Sequence, residues 1–260
     1  MKNVFTFLLL LFSLLCNGQS PKLFTTDKEL SSSLINQIYQ DRNGFIWIAT
    51  EDGLNRYDGA KFTIYKHEPN NEHSLAHNFV RTVFEDSKGH LLIGTYIGIQ
   101  MYDPATDNFT PLAKLEDTGE TLESNINSFI ERKNGEIWVS GNVLCKLDIK
   151  DHLLTVRKVD IAVTSPGSLF EDKKQNVWMA KGEEGVYQLT PDNQLTLHLS
   201  KDNGYVKSIC EDQRGNIYVG SIRKGLFIYD KERKTFVPID LKEKGELPVC
   251  FLYSGIPNEL

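Results

Sequence analysis

From residue 35 onward the chain alternates short apolar runs with clusters of Gly, Asp, Asn and Lys. The runs "INQIYQ", "VRTVFE", "INSFIE" and "VKSICE" are rich in β-branched and apolar residues, which predicts strands. An Asp/Gly-rich turn follows each, then a second run around a large side chain: "FIWIAT", "HLLIGT", "EIWVS", "NVWMA" and "NIYVG". After another turn comes a third strand ending at Tyr57, Tyr102, Leu147, Leu189 or Tyr229. A fourth is predicted over "KFTIYKH", "NFTPLAK", "LTVRKV", "QLTLHLS" and "TFVPIDL". Helical periodicity is nearly absent after residue 22.

The strands recur at a fixed period. The anchor column is Asp41, Asp86, Arg132, Asp172 and Asp212, with successive spacings of 45, 46, 40 and 40 residues. Three positions on stand Gly44, Gly89, Gly135, Gln175 and Gly215, a turn that calls for a positive φ; Gln175 predicts a relaxed turn in the fourth unit. Six positions on stand Trp47, Leu92, Trp138, Trp178 and Tyr218, expected to pack between sheets. Eight positions on, Ala49, Gly94, Ser140, Ala180 and Gly220 are small enough to let a neighbouring sheet approach. Gly53, Gly98, Gly185 and Gly225 mark a second turn. Four short strands per 40–46 residues predict an all-β fold, a β-propeller of four-stranded blades. A β-sandwich would not explain the fixed period. The count is five blades plus the start of a sixth at "VCFLYSGIPNEL", hence an incomplete ring.

The first 20 residues, "MKNVFTFLLLLFSLLCNGQS", break the pattern. One Lys, an apolar run from Val4 to Cys16 and then small and polar residues have the form of a secretory signal peptide over residues 1–18. The run is too short to span a bilayer comfortably. Cleavage after Gly18 leaves 19–260 as a partial β-propeller and predicts the periplasm as its compartment; acylation of Cys16 is the alternative, weakened by Leu15. No later segment is apolar enough for a transmembrane helix. Cys145, Cys210 and Cys250 then remain, an odd number at long spacings, and Cys210 is expected as a buried free thiol. The net charge of −6, without a long Lys/Arg cluster, argues against nucleic acid as a partner.

Candidate chemistry is sparse. His73 and His77 are four apart but lie in a loop, without a Cys or third His at ligand spacing, so no metal is expected. The pairs Glu85–Asp86, Glu171–Asp172 and Glu211–Asp212 fall at one repeat position. A catalytic acid pair would be singular, so recurrence points to Asp side chains capping the next turn. No nucleophile elbow, phosphate loop or kinase motif is present, and no catalytic residue or cofactor is assigned. In the innermost strands Asn36, Arg81, Asn127, Gly167 and Lys207 form a polar column that suits sugar hydroxyls or water. The candidate ligand contacts are Arg56, His77, Asn78, Arg81 and Lys207.

With these columns in place, "NQIYQDRNGFIWIATEDGLNRYDG" resembles the repeat of the two-component regulator propeller family, and "YKHEPNNEHSLAHNFV" resembles its inter-blade linker. The likeness extends over residues 21–240. It implies the periplasmic sensor region of hybrid two-component systems in Bacteroidetes-type bacteria. Such sensors carry two seven-bladed propellers, an immunoglobulin-like domain, a membrane helix and a kinase half, and respond to oligosaccharides. The resemblance therefore implies an oligosaccharide-sensing module without catalysis, here lacking the kinase and output half. A truncated or split sensor would be marginally stable alone, or would self-associate through its open ends. "PKLFTTDKEL" resembles an outer strand completing a final blade. The alternatives are a stand-alone exported propeller enzyme of polysaccharide-lyase type, or a non-functional gene fragment.

Overall fold

A computed structural model describes residues 23–26, 29–199 and 204–239. The signal peptide read over 1–18, Cys16, Cys250 and the start of a sixth blade lie outside them.

The described residues form strands and turns with no helix. The first blade comprises β1 (Ile35–Gln40), β2 (Ile46–Thr50), β3 (Gly53–Tyr57) and β4 (Phe62–Tyr65), hydrogen-bonded in that order as an antiparallel meander. The second is β5 (Val80–Glu85), β6 (Leu91–Thr95), β7 (Ile99–Asp103) and β8 (Asn108–Phe109). After β9 (Lys114–Leu115) comes the third, with β10 (Ser128–Glu131), β11 (Ile137–Ser140), β12 (Leu144–Lys150) and β13 (Leu153–Lys158). The fourth holds β14 (Leu169–Glu171), β15 (Val177–Lys181), β16 (Gly185–Leu189) and β17 (Leu195–Leu199). The fifth holds β18 (Val206–Glu211), β19 (Ile217–Ser221), β20 (Gly225–Asp230) and β21 (Thr235–Pro238).

The first strands of consecutive blades pack side by side: β1 on β5, β5 on β10, β10 on β14 and β14 on β18. Five propeller blades therefore stand around a common axis, and the ring is not closed. The core lies between blades. Trp47, Ala49 and Leu54 meet Val80, Val83 and Ile93 at the first boundary. Leu92 and Ile99 meet Ile126, Phe129 and Val139 at the second. Trp138 and Leu144 meet Leu169 and Met179 at the third. Trp178, Ala180 and Val186 meet Ile209, Val219 and Phe227 at the fourth. Each such fully buried side chain contributes roughly 1.5–3 kcal/mol, so the molecule is held together at its boundaries.

The small column works as expected. A Cβ on Gly94 would lie 2.6 Å from both Ile126 Cγ2 and Thr82 Cγ2, so the third blade approaches the second too closely for a side chain there.

Several expectations need correction. The fourth-unit turn is not relaxed: Gln175 sits at φ 66°, and its N–H donates to Asp172 O at 3.0 Å as Gly44 N does to Asp41 O at 2.9 Å. The backbone bond dictates the conformation, and the side chain accepts it. The strand expected over "NFTPLAK" is regular for only two residues; beyond them Thr110 N–H donates to Met101 O and Ala113 N–H to Ile99 O, both at 2.9 Å, on either side of Pro111. The chain then crosses to the third blade, where β9 pairs parallel with β13 as a fifth strand. "PKLFTTDKEL" contributes no strand among its described residues; Leu30 N–H donates to Thr25 O in a turn, and Phe24 packs on Tyr57 and Phe62 of the first blade. Cys210 is only half-buried, and Cys145 is the buried thiol, its pKa pushed up to about 11 by burial.

Candidate ligand-binding site

Antiparallel meanders send alternate connections to opposite ends of the sheets. One end carries the turns between first and second strands, where the anchor column lies. Asp41 Oδ1 accepts from Asn43 N at 2.9 Å and Phe45 N at 3.0 Å, while Oδ2 accepts from Trp47 Nε1 at 2.8 Å. Asp172 repeats this with Lys174 N, Asn176 N and Trp178 Nε1 at 2.8, 2.9 and 2.8 Å. Asp86 and Asp212 cap their turns likewise. The carboxylates are thus consumed in holding turns and orienting boundary tryptophans.

The third blade replaces this device. Arg132 lies over the Trp138 ring at 4.5 Å and pairs with Glu171 at 2.9 Å, while Glu136 accepts from Trp138 Nε1 at 3.1 Å. The hydrogen bond from Lys146 holds Glu136 down to about 2, despite burial. A cavity of about 230 Å³ opens beside it, lined by Asp86, Lys88, His90, Glu136, Lys146 and Arg157 among others. Its titratable groups are largely matched to each other: His90 Nδ1 lies 2.7 Å from Asp86 Oδ2, and Lys146 Nζ 2.5 Å from Glu136 Oε1.

The other end carries the longer linkers and the turns between second and third strands. Here the linker over residues 66–79 is pinned from several sides. Leu75 is buried in the first boundary. Gln100 Oε1 accepts from Ala76 N at 2.6 Å, and Gln100 Nε2 donates to Ser74 O at 3.0 Å. Asn78 Oδ1 accepts from His67 N at 2.7 Å, Asn78 Nδ2 donates to Asp52 Oδ1 at 3.2 Å, and Gly53 N donates to Asn78 O at 2.7 Å. The pinned linker presents His77 and Phe79 beside Tyr96, whose N–H donates to Phe79 O at 3.0 Å. The Tyr96 ring lies 5.6 Å from His77 and 6.0 Å from Phe79, and Tyr96 is 54% exposed. His77 Nδ1 accepts from Phe79 N at 2.9 Å, so the neutral imidazole carries its proton on Nε2. Arg81 lies over the Phe79 ring at 5.7 Å and donates to Asn127 Oδ1 at 2.7 Å. The result is a strip of rings flanked by imidazole, guanidinium and amide groups at this end of the first two blades.

Three of the candidate contacts, His77, Asn78 and Arg81, thus come together. His77 and Arg81 flank the strip, and Asn78 holds its linker. Arg56 lies elsewhere, on the boundary between the first two blades. Its guanidinium stands over Phe45, Trp47, Tyr65 and Tyr102 at 5.1–5.7 Å and donates to Asp107 Oδ1 at 2.9 Å. Tyr65 and Tyr102 hydroxyls donate to the same oxygen at 2.6 Å. Burial pushes Asp107 up, but these hydroxyls and the Arg56 charge together hold it below the usual carboxylate range. Lys207 is exposed on β18, three blades round the arc from Arg81. The polar inner column mostly bridges blades: Asn36 Nδ2 donates to Val80 O at 2.8 Å, and Asn127 Nδ2 to Pro166 O at 3.0 Å. Sequence reasoning missed Phe79 and Tyr96. Tyr96 had a signal, since an aromatic stands in a turn that elsewhere reads "EDG", "EEG" or "RKG".

Among the described residues no group of three His, Cys, Asp or Glu side chains could hold a metal ion, and no helix is long and apolar enough to cross a membrane.

The model of the family described as Two component regulator propeller matches residues 29–52, 74–96 and 200–223. A stretch of 83 residues is 37% identical to Histidine kinase P4 of Formosa agariphila, covering 29% of this chain and 6% of the kinase. Among solved structures, the extracellular domain assigned to a one component system of B. thetaiotaomicron matches with TM-score 0.68 and 19% identity, over 86% of this chain and 33% of that one. The extracellular domain assigned to a hybrid two component system of the same organism matches with TM-score 0.54 and 19% identity, over 87% and 37%. Virginiamycin B lyase from Staphylococcus aureus matches with TM-score 0.62 and 12% identity, over 87% and 74%. The chain therefore spans about a third of the first two and a small part of the kinase.

Proposed function

For a chain that carries two-component regulator propeller repeats, we propose the role of a ligand-sensing module in a hybrid two-component sensor. It works in the periplasm, it is coupled to a kinase portion, it associates with itself, and its ligand is an oligosaccharide. The observation that carries the ligand class is the exposed ring of Tyr96, in the turn between β6 and β7 beside His77 and Phe79 of the pinned linker. A sugar ring presents an apolar face that lies flat on such a platform. His77 Nε2–H, Arg81 and Asn127 stand beside it to bond hydroxyls. Binding there would span the linker of the first blade and the inner strands of the second and third, so it would bias their relative arrangement.

Calorimetric titration of the full chain with a panel of defined oligosaccharides tests this. Tyr96→Ala should weaken the best binder by roughly tenfold or more with an unchanged melting temperature. Unaltered affinity in that variant, or a panel without a single binder, would overturn the reading. The same panel addresses the lyase alternative, whose favouring observation is the His90–Asp86 pair on the cavity at the opposite end. Chain cleavage abolished by His90→Gln would favour that reading instead.

A further inference from the structure

The boundary between the second and third blades departs from the other three. At each of those a tryptophan stands between its own anchor turn and the end of the third strand of the next blade. Trp47 packs on Tyr102 at 4.9 Å, Trp178 packs on Tyr229 at 5.2 Å, and Trp138 shares a buried cluster with Leu189. At the second boundary that position is Leu92, which has no N–H to give Asp86. His90 supplies the donor instead, its Nδ1 lying 2.7 Å from Asp86 Oδ2. The cavity of about 230 Å³ opens at this boundary, and its walls include Asp86 and Leu147. These are the counterparts of the two groups that hold an indole between them elsewhere.

Two of the acids on its walls are already engaged. Asp86 Oδ1 accepts from Lys88 N at 3.0 Å and His90 N at 2.8 Å, and Oδ2 faces the imidazole. Glu136 accepts from Trp138 Nε1 at 3.1 Å and from Lys146 Nζ at 2.5 Å. The cations exceed what these acids take up. Strand register sets Lys146 directly opposite Arg157, and both line the cavity. Like charges facing each other across two strands are unfavourable unless an anion lies near. Arg157 has only Glu116, at 3.9 Å with both side chains more than half exposed, so solvent screens that pair. Lys88 has no acid partner among the described residues, and it lines the cavity too. Acceptors for hydroxyls stand beside these cations. With Nδ1–H given to Asp86, His90 keeps Nε2 as an acceptor, and Asp148 is exposed at the rim.

We propose that this cavity is a second ligand site, for a small molecule that joins a carboxylate to neighbouring hydroxyls, as a sugar acid does. The carboxylate lies against the fork of Arg157, with Lys88 adding charge, and it relieves the facing of Arg157 and Lys146. The hydroxyls donate to His90 Nε2 and Asp148. The volume is below the roughly 300–1,000 Å³ of pockets for drug-sized ligands, so one small ring fits and an extended chain does not. The site lies at the opposite end from Tyr96, and it stands whether or not that platform takes an oligosaccharide.

Amide NMR of the full chain, titrated with D-glucuronate, tests this. Shifts are expected at His90, Glu136 and Lys146. D-glucose, which lacks the charge, and acetate, which lacks the hydroxyls, should each bind roughly tenfold or more weakly. A trisaccharide ending in glucuronate separates a free sugar acid from a chain end as the source, and binding of either supports the site. Arg157→Met, at an exposed position, should weaken glucuronate binding roughly tenfold with an unchanged circular dichroism spectrum. Lys88→Met, also exposed, provides the same comparison if the first variant misfolds. Shifts confined to His77, Phe79 and Arg81 would place the sugar acid at the other end and overturn the second site. So would acetate binding as tightly as glucuronate, unweakened binding in both variants, or an absence of shifts with either glucuronate compound. None of these results bears on the oligosaccharide reading at Tyr96, which has its own titration.

Discussion

A single carboxylate in each of four blades does the work of several residues. Asp172 closes its turn through two amides and fixes the Trp178 indole in the boundary. The recurring Asp column was legible as a turn cap because only a structural role repeats. Its grip on the tryptophan six positions on was not, because that contact depends on how the turn and the second strand fold together. Gln175 holds a left-handed backbone that costs a non-glycine residue roughly 1 kcal/mol. Gln175→Gly should therefore raise stability by about 0.5–1 kcal/mol in urea denaturation, with an unchanged m-value. Glu136 gives a pH signature. Its folded pKa is depressed to about 2 by the hydrogen bond from Lys146. Its contribution to stability is thus complete above the ordinary glutamate range and lost as pH falls from there through about 2. NMR titration of the Glu136 carboxyl carbon should give that midpoint, and Lys146→Met should return it towards the ordinary value.

At the scale of elements, the blades were legible because alternating patterns and turn residues recur five times. The fourth strand of the second unit was not, since its pairing is irregular across Pro111 while the surrounding residues still read as a strand. The transfer of β9 to the third blade is a long-range pairing with no local signal. The Glu column was visible in sequence, but its partner lies one blade back, about 40 residues away. These latches cross every internal boundary, so cutting one should loosen two blades at once. Glu171→Ala takes the acceptor from Lys133 N–H and leaves Arg132 its longer pair with Glu136 at 3.6 Å. A loss of roughly 1.5–3 kcal/mol is expected, with hydrogen exchange rising in the third and fourth blades before the first.

At the scale of the whole molecule, stability belongs to four boundaries rather than to five sheets. Nearest-neighbour coupling of this kind makes unfolding propagate from an open face. The candidate site lies next to the open first blade, on a linker and turn that span the first two blades. Its polar residues were partly legible, because His77, Asn78 and Arg81 stand near strand ends. Its platform was not, because burial of Trp47 and exposure of Tyr96 are decided by the neighbouring blade, which sequence alone does not place.

The close approach at Gly94 has a geometric consequence. The bulk at this one position limits how near the third blade can come to the second. Ala49, Ser140 and Ala180 carry a Cβ at the same repeat position, where Gly94 has none. The bare position lies at the same boundary that the Arg81–Asn127 bond crosses. A single methyl group there would have to push Ile126 back, and the third blade away from the second with it.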